Sequence, residues 1–589
     1  MRVIGTNTAA TQEGLRLERR HRMSLSRKWR LPLLMLVALA AMLAFAACGD
    51  EEGGDGGEES PGATDEPAAG ERVDGGILRV QAVEPASLDP HFSSFASDIH
   101  LQRAIWRGLY SLNGENEPQV SMASDFPDIS ADGTVYTITL NEGLLWSDGE
   151  PLTAEDFESG IKRTCNPLVA GEYQYVLTSV VGCDDHYGAE GFDQALEDAI
   201  GVTAVDGTTL EITLAQAQPT FTIILALWMT FPMPTHLFAA TGDAWPTDPA
   251  LLAYNGPYSL ETFTPGQGHT LIPNPNWSAP QDVSPTLDKI EATYIDDLAV
   301  AANAYRNGEL EFTDVNLQEL ETLRSEFADE YLKFLHPSTR GLEMQMKNEV
   351  LADINVRLAL SKAIDREALN TVVVQGGNEP STSWIPEVDG GHPPDAFDAE
   401  IGFDAEGAKA ALAEAGFVDG AGFPTLTILV GNSPSAIATA EFLQDAFKTV
   451  LNIDTNVESV DGATRSDRFT NQEFDLFPGG WLHDYPDPEN WVLGLFDTGG
   501  SLNNYNCSDP EIDALVEKAR FNTDNDERLA QYKEINELIS THVCGIAPYW
   551  HENDHWLVDS NVVGMAENIS GNDSAAPGDW NMEAWGLKS

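Results

Sequence analysis

Residues 130–140 read Ser-Ala-Asp-Gly-Thr-Val-Tyr-Thr-Ile-Thr-Leu, a turn followed by side chains that alternate in polarity. Alternation with a period of two predicts a strand with one buried face, and Asp132-Gly133 is typical of the turn before it. Asp206-Gly207 introduces a second such run, Thr-Leu-Glu-Ile-Thr-Leu over residues 209–214. The sequence therefore predicts two short strands, each entered through a turn.

Helix signals alternate with strand signals along the rest of the chain. Thr153-Ala-Glu-Asp156 has the pattern of a capping box and predicts the start of a helix that reaches Arg163. Segment 405–415 has Asp404 as its cap and Gly416 as its stop. Further helices are predicted at 354–370, 435–450, 510–520 and 526–543. This mixture without a fixed repeat indicates an α/β protein with more than one lobe.

Length and charge exclude several classes of protein. The chain has 589 residues, of which 42% are hydrophobic, so it can form more than one compact unit and is not mostly disordered. Lys and Arg number 32 and Asp and Glu 94, which gives a net charge of -62. Nucleic acid and anionic membrane surfaces would be repelled by this charge, so neither is expected as a partner.

The N-terminus has the pattern of a signal peptide. Residues 31–47 are apolar or small and follow the basic segment Arg27-Lys28-Trp29-Arg30. Such a core is short for a membrane span of about 20 residues, and it predicts a signal peptide over residues 1–47. Its end, Phe45-Ala46-Ala47-Cys48, resembles a bacterial lipobox, in which the Cys is diacylated and becomes the mature N-terminus. The alternative is an uncleaved membrane anchor.

The next segment predicts a tether. Residues 48–73 are rich in Gly and acidic residues and contain no aromatic residue, so they cannot bury enough apolar surface to fold. We therefore expect a disordered linker that holds the folded part away from the lipid. The protein would then lie outside the cytoplasm, in the periplasm or on the outer face of the cell membrane, with a lipid anchor.

The five cysteines fit this location. If Cys48 carries the lipid, Cys165, Cys183, Cys507 and Cys544 remain, and an oxidising compartment favours two disulfides with three possible connectivities. We predict that residues near in sequence pair, the first two and the last two; buried free thiols are the alternative. The cysteines lack CxxC-like spacing, so the sequence predicts no metal site and no cofactor.

A series of short motifs runs in order through the chain. They are Pro85-Ala-Ser-Leu-Asp-Pro90, Arg107-Gly-Leu-Tyr110, the run at 130–140, Trp146-Ser-Asp-Gly149, Leu152-Thr-Ala-Glu-Asp156, Asn255-Gly-Pro-Tyr258, Asn274-Pro-Asn-Trp277, Asn355-Val-Arg-Leu-Ala-Leu360, Ala363-Ile-Asp-Arg366, Ala408-Lys-Ala-Ala-Leu-Ala-Glu-Ala-Gly416, Gly480-Trp481 and Asp484-Tyr-Pro-Asp-Pro488. No single motif is specific, but their collinear order resembles the oligopeptide- and dipeptide-binding proteins of peptide-type ABC importers (solute-binding family 5).

The resemblance implies an α/β fold with two lobes that close around a ligand, and an extra domain inserted in the first lobe. The implied divisions are lobe I at 74–113, 206–312 and 558–589, the extra domain at 114–205, and lobe II at 313–557. It also implies a monomer that captures a peptide or another small solute and delivers it to the permease subunits of the importer. Closure shifts an open–closed equilibrium and needs no covalent chemistry, so the protein is not expected to be an enzyme.

The resemblance also implies a ligand site. In peptide-binding relatives the Asp of a Trp-x-x-Asp segment pairs with the ligand α-ammonium, and Trp481-Leu-His-Asp484 matches that pattern. A carboxylate enclosed with an ammonium gains roughly 1.5–3 kcal/mol, which favours Asp484 for this role. Trp481, Tyr485, His483 and Trp384 are further candidates for the cleft wall. The alternatives are a turn-capping role for Asp484 and core or surface positions for the others.

One departure leaves the ligand class open. Some oligopeptide binders place arginines just before this segment, where they help to neutralise a ligand carboxylate. Here residues 474–480 contain no cation, and Arg465 and Arg468 are the nearest. Relatives on this scaffold bind oligosaccharides, metal chelates or other solutes, so a non-peptide ligand is the alternative.

A second alternative is a secreted zinc metallopeptidase. His551-Glu552-Asn-Asp-His555 matches HExxH, which binds zinc when both imidazoles lie on one helix face. The flanking residues Ala547-Pro-Tyr-Trp550 and Trp556-Leu-Val558 are aromatic and strand-like, and Asn553-Asp554 disfavours a helix. The sequence therefore favours a strand here and a binding protein over a peptidase.

Overall fold

The computed structural model describes residues 72–241, 252–278, 283–566 and 576–588. The predicted signal peptide, the predicted lipid-attachment residue Cys48 and most of the predicted tether lie outside the described residues. The tether was expected to reach residue 73, but Arg72–Val73 form a strand that pairs with Leu587 and Lys588. Backbone pairing with the C-terminal strand orders these two residues, which the local composition alone could not reveal.

Twenty strands, β1 to β20, lie in the described part of the chain. They are Arg72–Val73, Ile77–Ala82, Tyr110–Leu112, Pro118–Val120, Asp128–Ile129, Val135–Thr139, Val202–Asp206, Thr209–Thr213, Tyr258–Thr264, Gly268–Pro273, Lys289–Tyr294, Phe312–Asp314, Tyr331–Met344, Glu379–Pro380, Leu426–Gly431, Thr455–Val460, Leu476–Leu482, Ile546–Val558, Val562–Val563 and Gly586–Lys588.

Sixteen α-helices, α1 to α16, accompany them within the same ranges. They are Ala96–Ile105, Ala154–Thr164, Cys183–Tyr187, Gln194–Asp198, Phe221–Ile224, Thr235–Thr241, Leu298–Arg306, Leu320–Glu326, Ile354–Lys362, Arg366–Val374, Asp398–Ile401, Ala405–Glu414, Pro434–Ala446, Gly462–Thr470, Pro510–Arg520 and Asn525–Thr541. Among the described helices, none is both long and apolar enough to cross a membrane.

The local predictions compare well with these elements. The two alternating runs form β6 and β8, which pair antiparallel, and α2 begins with the predicted capping box of Thr153 and Asp156. The helix expected at 354–370 is instead two helices, because the Asp365 side chain accepts a hydrogen bond from Ala368 N and starts α10. This Asx cap restarts the backbone hydrogen-bond ladder inside a continuous helical pattern.

A large mixed sheet joins the two lobes. Its strand order is β16-β15-β17-β13-β18-β12-β2-β11-β10-β9, and β14 pairs with β18. Strands β13 and β18 are by far its longest members and pair along most of their length. The neighbour of β18 on one side is β12, which leads to the strands of lobe I. The neighbour of β13 on the other side is β17, which leads to the strands of lobe II. We call β13 and β18 the crossing strands, because they carry the chain from one lobe to the other.

The hydrophobic clusters follow this division. One cluster unites lobe I with the inserted domain, for example Leu78, Trp146, Leu210 and Trp585. Two further clusters lie in lobe II, one under Leu342 and Leu443 and the other around Trp384 and Trp491. The β13–β18 pair contributes residues to clusters on both sides, so the crossing strands are anchored in both lobes.

Two of the expected domain boundaries run through packed units. A small cluster joins residues on both sides of the boundary between 312 and 313: Ala302, Tyr305, Leu310, Val315, Leu320, Leu323 and Leu557. The hairpin of β7 and β8 spans the boundary between 205 and 206. We therefore propose that the inserted domain extends to residue 213. We also propose that the chain crosses between the lobes near 336–338 and 549–552.

Both disulfides have the pairing expected from sequence proximity. Cys165 follows α2 and bonds to Cys183 at the start of α3, inside the inserted domain. Cys507 precedes α15 and bonds to Cys544 beyond α16, inside lobe II. All four sulfur-bearing residues are buried. Each cross-link therefore stabilises a single folded unit and leaves the two lobes free to move relative to each other.

Candidate functional site

One face of the crossing strands is covered by the chain itself. Segment 377–385 lies against this face: Thr339 Oγ1 donates to Trp384 O at 2.8 Å, and Asn553 Nδ2 donates to Gly377 O at 2.7 Å. His551 Nε2 lies 3.0 Å from Ser383 O. Because side chains alternate along a strand, the residues between these point to the opposite face.

That opposite face carries a polar belt, defined here as His336, Ser338, Arg340, Glu552 and Asp554. Ser338 Oγ and Arg340 Nε both bond to Glu552 Oε2, at 2.6 Å and 2.9 Å. His336 Nδ1 lies 3.9 Å from Asp554 Oδ2. These polar groups are otherwise unexpected in the middle of a buried sheet.

The polar belt lies between the hydrophobic cores of the two lobes. Along β18, Trp550 packs in a lobe II cluster and Trp556 in the lobe I cluster, and the acidic belt residues are the alternate positions between them. The belt therefore marks the place where the two cores separate. In a two-lobed protein this is the floor of the cleft.

Asp484 lies two residues after β17 ends. Tyr173 and Tyr175 donate their hydroxyls to its two carboxylate oxygens, at 2.6 Å and 3.3 Å. Asn490 Nδ2 donates to Asp484 Oδ2 at 3.1 Å, and Asn490 Oδ1 accepts from Asp484 N at 2.8 Å. The two tyrosines belong to the inserted domain and Asp484 to lobe II, so this carboxylate bridges the cleft.

Tyr175 stays a hydrogen-bond donor to Asp484. Burial raises the pKa of Tyr175 well above its usual value, and the charge of Asp484 raises it further. The Tyr175 hydroxyl therefore remains a donor over the whole physiological pH range. A half-buried carboxylate that accepts hydrogen bonds from neutral hydroxyls suits a cationic group such as an ammonium.

Of the other predicted site residues, Trp481 and Tyr485 support this arrangement from behind. Trp481 is 9% exposed and donates from Nε1 to Asn490 Oδ1 at 3.1 Å, which orients the amide that holds Asp484. Tyr485 is fully buried in the lobe I cluster, and its hydroxyl donates to Glu489 at 3.4 Å. The structure thus makes Trp481 a positioning group for Asp484, whereas Tyr485 contacts Glu489; a place in the cleft wall stays a prediction for both residues.

The structure places His483 and Trp384 away from the cleft wall. His483 is buried, and its Nδ1 lies 2.8 Å from Asp389 Oδ2. Trp384 packs edge-on against Trp491 and Phe496 in the lobe II core. Both lie on the covered side of the crossing strands, so their assignment to the cleft wall is corrected. His483 binds Asp389, and Trp384 fills the lobe II core.

A second polar contact across the cleft was not found from the sequence. Gln218 Nε2 and Thr220 Oγ1 donate to Glu489 Oε1 at 2.8 Å and 3.1 Å. Arg520 Nη2 donates to Thr178 Oγ1 at 2.7 Å. No sequence signal distinguishes these residues from ordinary surface polar groups. Only the packing of the lobes brings them together.

The HExxH segment lies in a strand, which overturns the metallopeptidase alternative. His551, Glu552 and His555 are all in β18, where four residues span about 13 Å. Zinc ligands must lie about 2.0–2.1 Å from the metal, so the two imidazoles cannot share one ion. Burial lowers the pKa of both histidines to about 4, and each contacts a backbone carbonyl of segment 377–385.

Comparison with known proteins identifies relatives of this architecture. The family model "Bacterial extracellular solute-binding proteins, family 5 Middle" matches residues 117–503. Over 551 residues the chain is 25% identical to the oligopeptide-binding protein OppA of Bacillus subtilis, covering 92% of this chain and 97% of that protein. It is 27% identical to the probable deoxycholate-binding periplasmic protein YgiS of Escherichia coli, covering 79% of this chain and 86% of that protein.

A solved structure supports the fold. The periplasmic oligopeptide-binding protein OppAIV of Borrelia burgdorferi superposes with a TM-score of 0.73 at 27% identity, covering 85% of this chain and 99% of that chain. The expected α/β fold with two lobes is confirmed by this likeness and by the family match.

Replacing Glu489 by Gln should flatten the pH dependence of stability. Burial raises the pKa of Glu489 from 4.5 to about 7, and Asp487 adds to the increase, while Arg520 and Arg528 oppose it. Between pH 4.5 and about 7 the folded protein keeps a proton on Glu489 that the unfolded chain releases. The free energy of unfolding therefore falls as the pH rises through this range, and Glu489 causes no further decrease above pH 7. The total decrease in the free energy of unfolding is roughly 3 kcal/mol at most.

The measurement is the urea midpoint of wild type and Glu489→Gln between pH 4.5 and pH 8. The exposed Glu473→Gln serves as the control. The Gln variant should lose less stability than wild type over the lower part of this range. Parallel pH profiles for all three proteins would contradict the assignment.

Proposed function

The chain belongs to family 5 of the bacterial extracellular solute-binding proteins, and from this we propose that it is the receptor of an ABC importer. It captures a peptide or peptide-like solute outside the cytoplasm and delivers it to the permease in the membrane. The receptor binds and releases its ligand unchanged and is not an enzyme. The relatives named as oligopeptide- and dipeptide-binding proteins support a peptide as the ligand.

The observation that carries the proposal is the position of Asp484. Its carboxylate lies between the inserted domain and lobe II, with tyrosine hydroxyls from one side and the Asn490 amide from the other. An ammonium placed here gains a charge-assisted hydrogen bond and touches both sides of the cleft. The free energy of that contact therefore favours the closed form.

The mechanism is a shift of an equilibrium between open and closed forms. A ligand shifts this equilibrium only by the difference between its affinities for the two forms. Contacts made from lobe II to the inserted domain exist only when the cleft is shut, so a ligand that joins them selects closure. The closed form is then the one that the permease distinguishes from the empty receptor.

A second candidate is a non-peptide solute. Residues 474–480 carry no cation for a ligand carboxylate, and one relative is named as a probable deoxycholate-binding protein. A solute of this kind would use the apolar and hydroxyl groups of the cleft instead of Asp484.

Native mass spectrometry of the protein purified without denaturant tests the proposal. We expect a bound mass that matches one or more short peptides, because a closed cleft releases its ligand slowly. Unfolding should release the peptides for sequencing. A bound steroid or sugar would favour the second candidate, and conversion of an added peptide by the isolated protein would refute a receptor role.

Asp484→Asn should weaken free-amine peptides about 10- to 100-fold and their N-acetyl forms much less. The reason is that Asn keeps the shape of Asp but loses the charge that pairs with an ammonium, worth about 1.5–3 kcal/mol. Calorimetric titration of both peptide forms measures the difference. Asp395→Asn, an exposed substitution, is the matched control. Equal losses for the two forms would remove Asp484 from this role.

We also propose that Cys48 carries a lipid and anchors the receptor. Cys48→Ser should shift the protein from the membrane fraction to the soluble fraction. The reason is that the serine variant lacks the thiol to which the acyl chains attach, so the mature protein has no lipid anchor. Fractionation of cells and the intact mass of the mature protein measure the change. Membrane retention of the Ser variant would point to an uncleaved anchor.

A further inference from the structure

Glu489 is an acidic residue enclosed between the two lobes. It is 1% exposed and lies in segment 488–491, whose Trp491 packs in a lobe II cluster. The side chains that donate to it, Gln218 and Thr220, precede Phe221, which packs in the cluster of lobe I and the inserted domain. One side of the cleft therefore carries the acid, and the other side covers it.

Glu489 has no paired cation. Arg528 donates from both Nη groups to Asp487, and Arg520 donates to Thr178 Oγ1. In the part of the chain that the structure describes, no Lys, Arg or His forms an ion pair with Glu489. A carboxyl group that is buried without a paired cation favours its neutral, protonated form.

The titratable and charged groups that act on Glu489 come from lobe II: from its own segment, α15 and α16. They are Tyr485, Asp487, Arg520, Arg528 and Tyr532. Burial raises the pKa of both tyrosines well above the usual value, so these phenols stay neutral. The charge of Asp487 disfavours an ionised Glu489, and the two arginines favour it. These groups remain with Glu489 when the lobes separate, whereas the neutral cover of Gln218 and Thr220 is lost.

The enclosure can hold a proton on Glu489. Thr220 Oγ1 lies 3.1 Å from Oε1 and 3.2 Å from Oε2, and a hydroxyl both donates and accepts. With the proton on Oε2, the acid donates to Thr220 Oγ1 while Oε1 still accepts from Gln218 Nε2. Ser179 Oγ donates to Gln218 Oε1 at 2.5 Å, which keeps Nε2 of this amide directed at the acid.

We propose that Glu489 couples closure of the cleft to the uptake of one proton, so that the receptor binds its solute more tightly in mildly acidic surroundings. The proton comes from solvent when the lobes close and returns to solvent when they open. This inference rests on the proposed function and deepens it, because it gives the same cleft a regulation by pH.

The direction of the effect follows from the two environments of the acid. Burial in the closed form raises the pKa of Glu489 from 4.5 to about 7. In an open form water reaches the carboxylate, and its pKa returns towards 4.5. Closure therefore becomes more favourable as the pH falls from about 7 to 4.5, and Glu489 has no effect on it outside this range. With these two pKa values, closure is about 15-fold more favourable at pH 5.5 than at pH 7.

The experiment is a calorimetric titration of the protein with tetra-alanine at pH 5.5, 6 and 7. This probe has no ionisable side chain, and its terminal groups, with pKa values of about 3.5 and 8, are mostly charged in this range. Two buffers with different heats of ionisation give the number of protons taken up per bound peptide. The variants are Glu489→Gln, which cannot ionise, and Gln218→Met; the exposed Glu473→Gln is the matched control.

Wild type and the Glu473→Gln control should bind tetra-alanine about 15-fold more tightly at pH 5.5 than at pH 7. Both should take up about 0.9 proton per peptide at pH 6. Glu489→Gln should bind with similar affinity at both pH values and take up almost no proton. Gln218→Met removes a hydrogen bond that lowers the pKa of Glu489, so the midpoint of its pH dependence should lie above that of wild type.

Equal proton uptake by wild type and Glu489→Gln would overturn the inference and leave the proposed function intact. Should Glu489→Gln not fold, wild type and Gln218→Met decide: proton uptake near zero in wild type, or an unchanged midpoint in Gln218→Met, would overturn it.

If tetra-alanine does not bind, small-angle scattering of the peptide-free proteins decides instead. Wild type should then be more compact at pH 5.5 than at pH 7, and Glu489→Gln equally compact at both. A wild type with the same radius of gyration at both pH values would overturn the inference. Absence of every peptide from the native mass spectra counts against the proposed function alone.

Discussion

The pairing of β13 with β18 is the interaction on which the rest of the structure depends. These two crossing strands pass through both lobes. Their backbone hydrogen bonds join the strands of lobe I and the strands of lobe II into one sheet. Irregularities in their register occur between Leu335 and Thr339 and between Arg340 and Gly341. Breaks in a ladder bend strands, so these two positions are where the proposed closure of the lobes would be accommodated.

The polar groups at this junction are consistent with closure by exchange of contacts. A carboxylate that is buried, like Glu489, or half-buried, like Asp484, is costly unless it is hydrogen-bonded, and each of these two accepts hydrogen bonds from across the cleft. In an open form water would serve these groups instead. The net free energy of closing an empty cleft is therefore small, because each bond gained between lobes replaces one to water. The binding free energy of a charged ligand is then sufficient to shift the equilibrium to the closed form.

Sequence reasoning succeeded where the signal is local. The capping box at Thr153, the strand run at 135–139 and the helix capped by Asp404 depend on neighbours within a few residues, and all three are present. It failed at Asp365, where a local cap competes with a continuous helical pattern, and at Trp384, whose aromatic character suits a cleft wall and a core equally.

The sequence by itself determined the elements, the family and the pattern around Asp484, because hydrophobic periodicity, capping and short motifs are properties of the local chain. Only the tertiary structure decided which residues share the cleft. Tyr173 is more than 300 residues from Asp484, and Gln218 is 271 residues from Glu489. Such contacts follow from how whole lobes pack, because a one-residue change of register would turn every side chain of a strand to the other face.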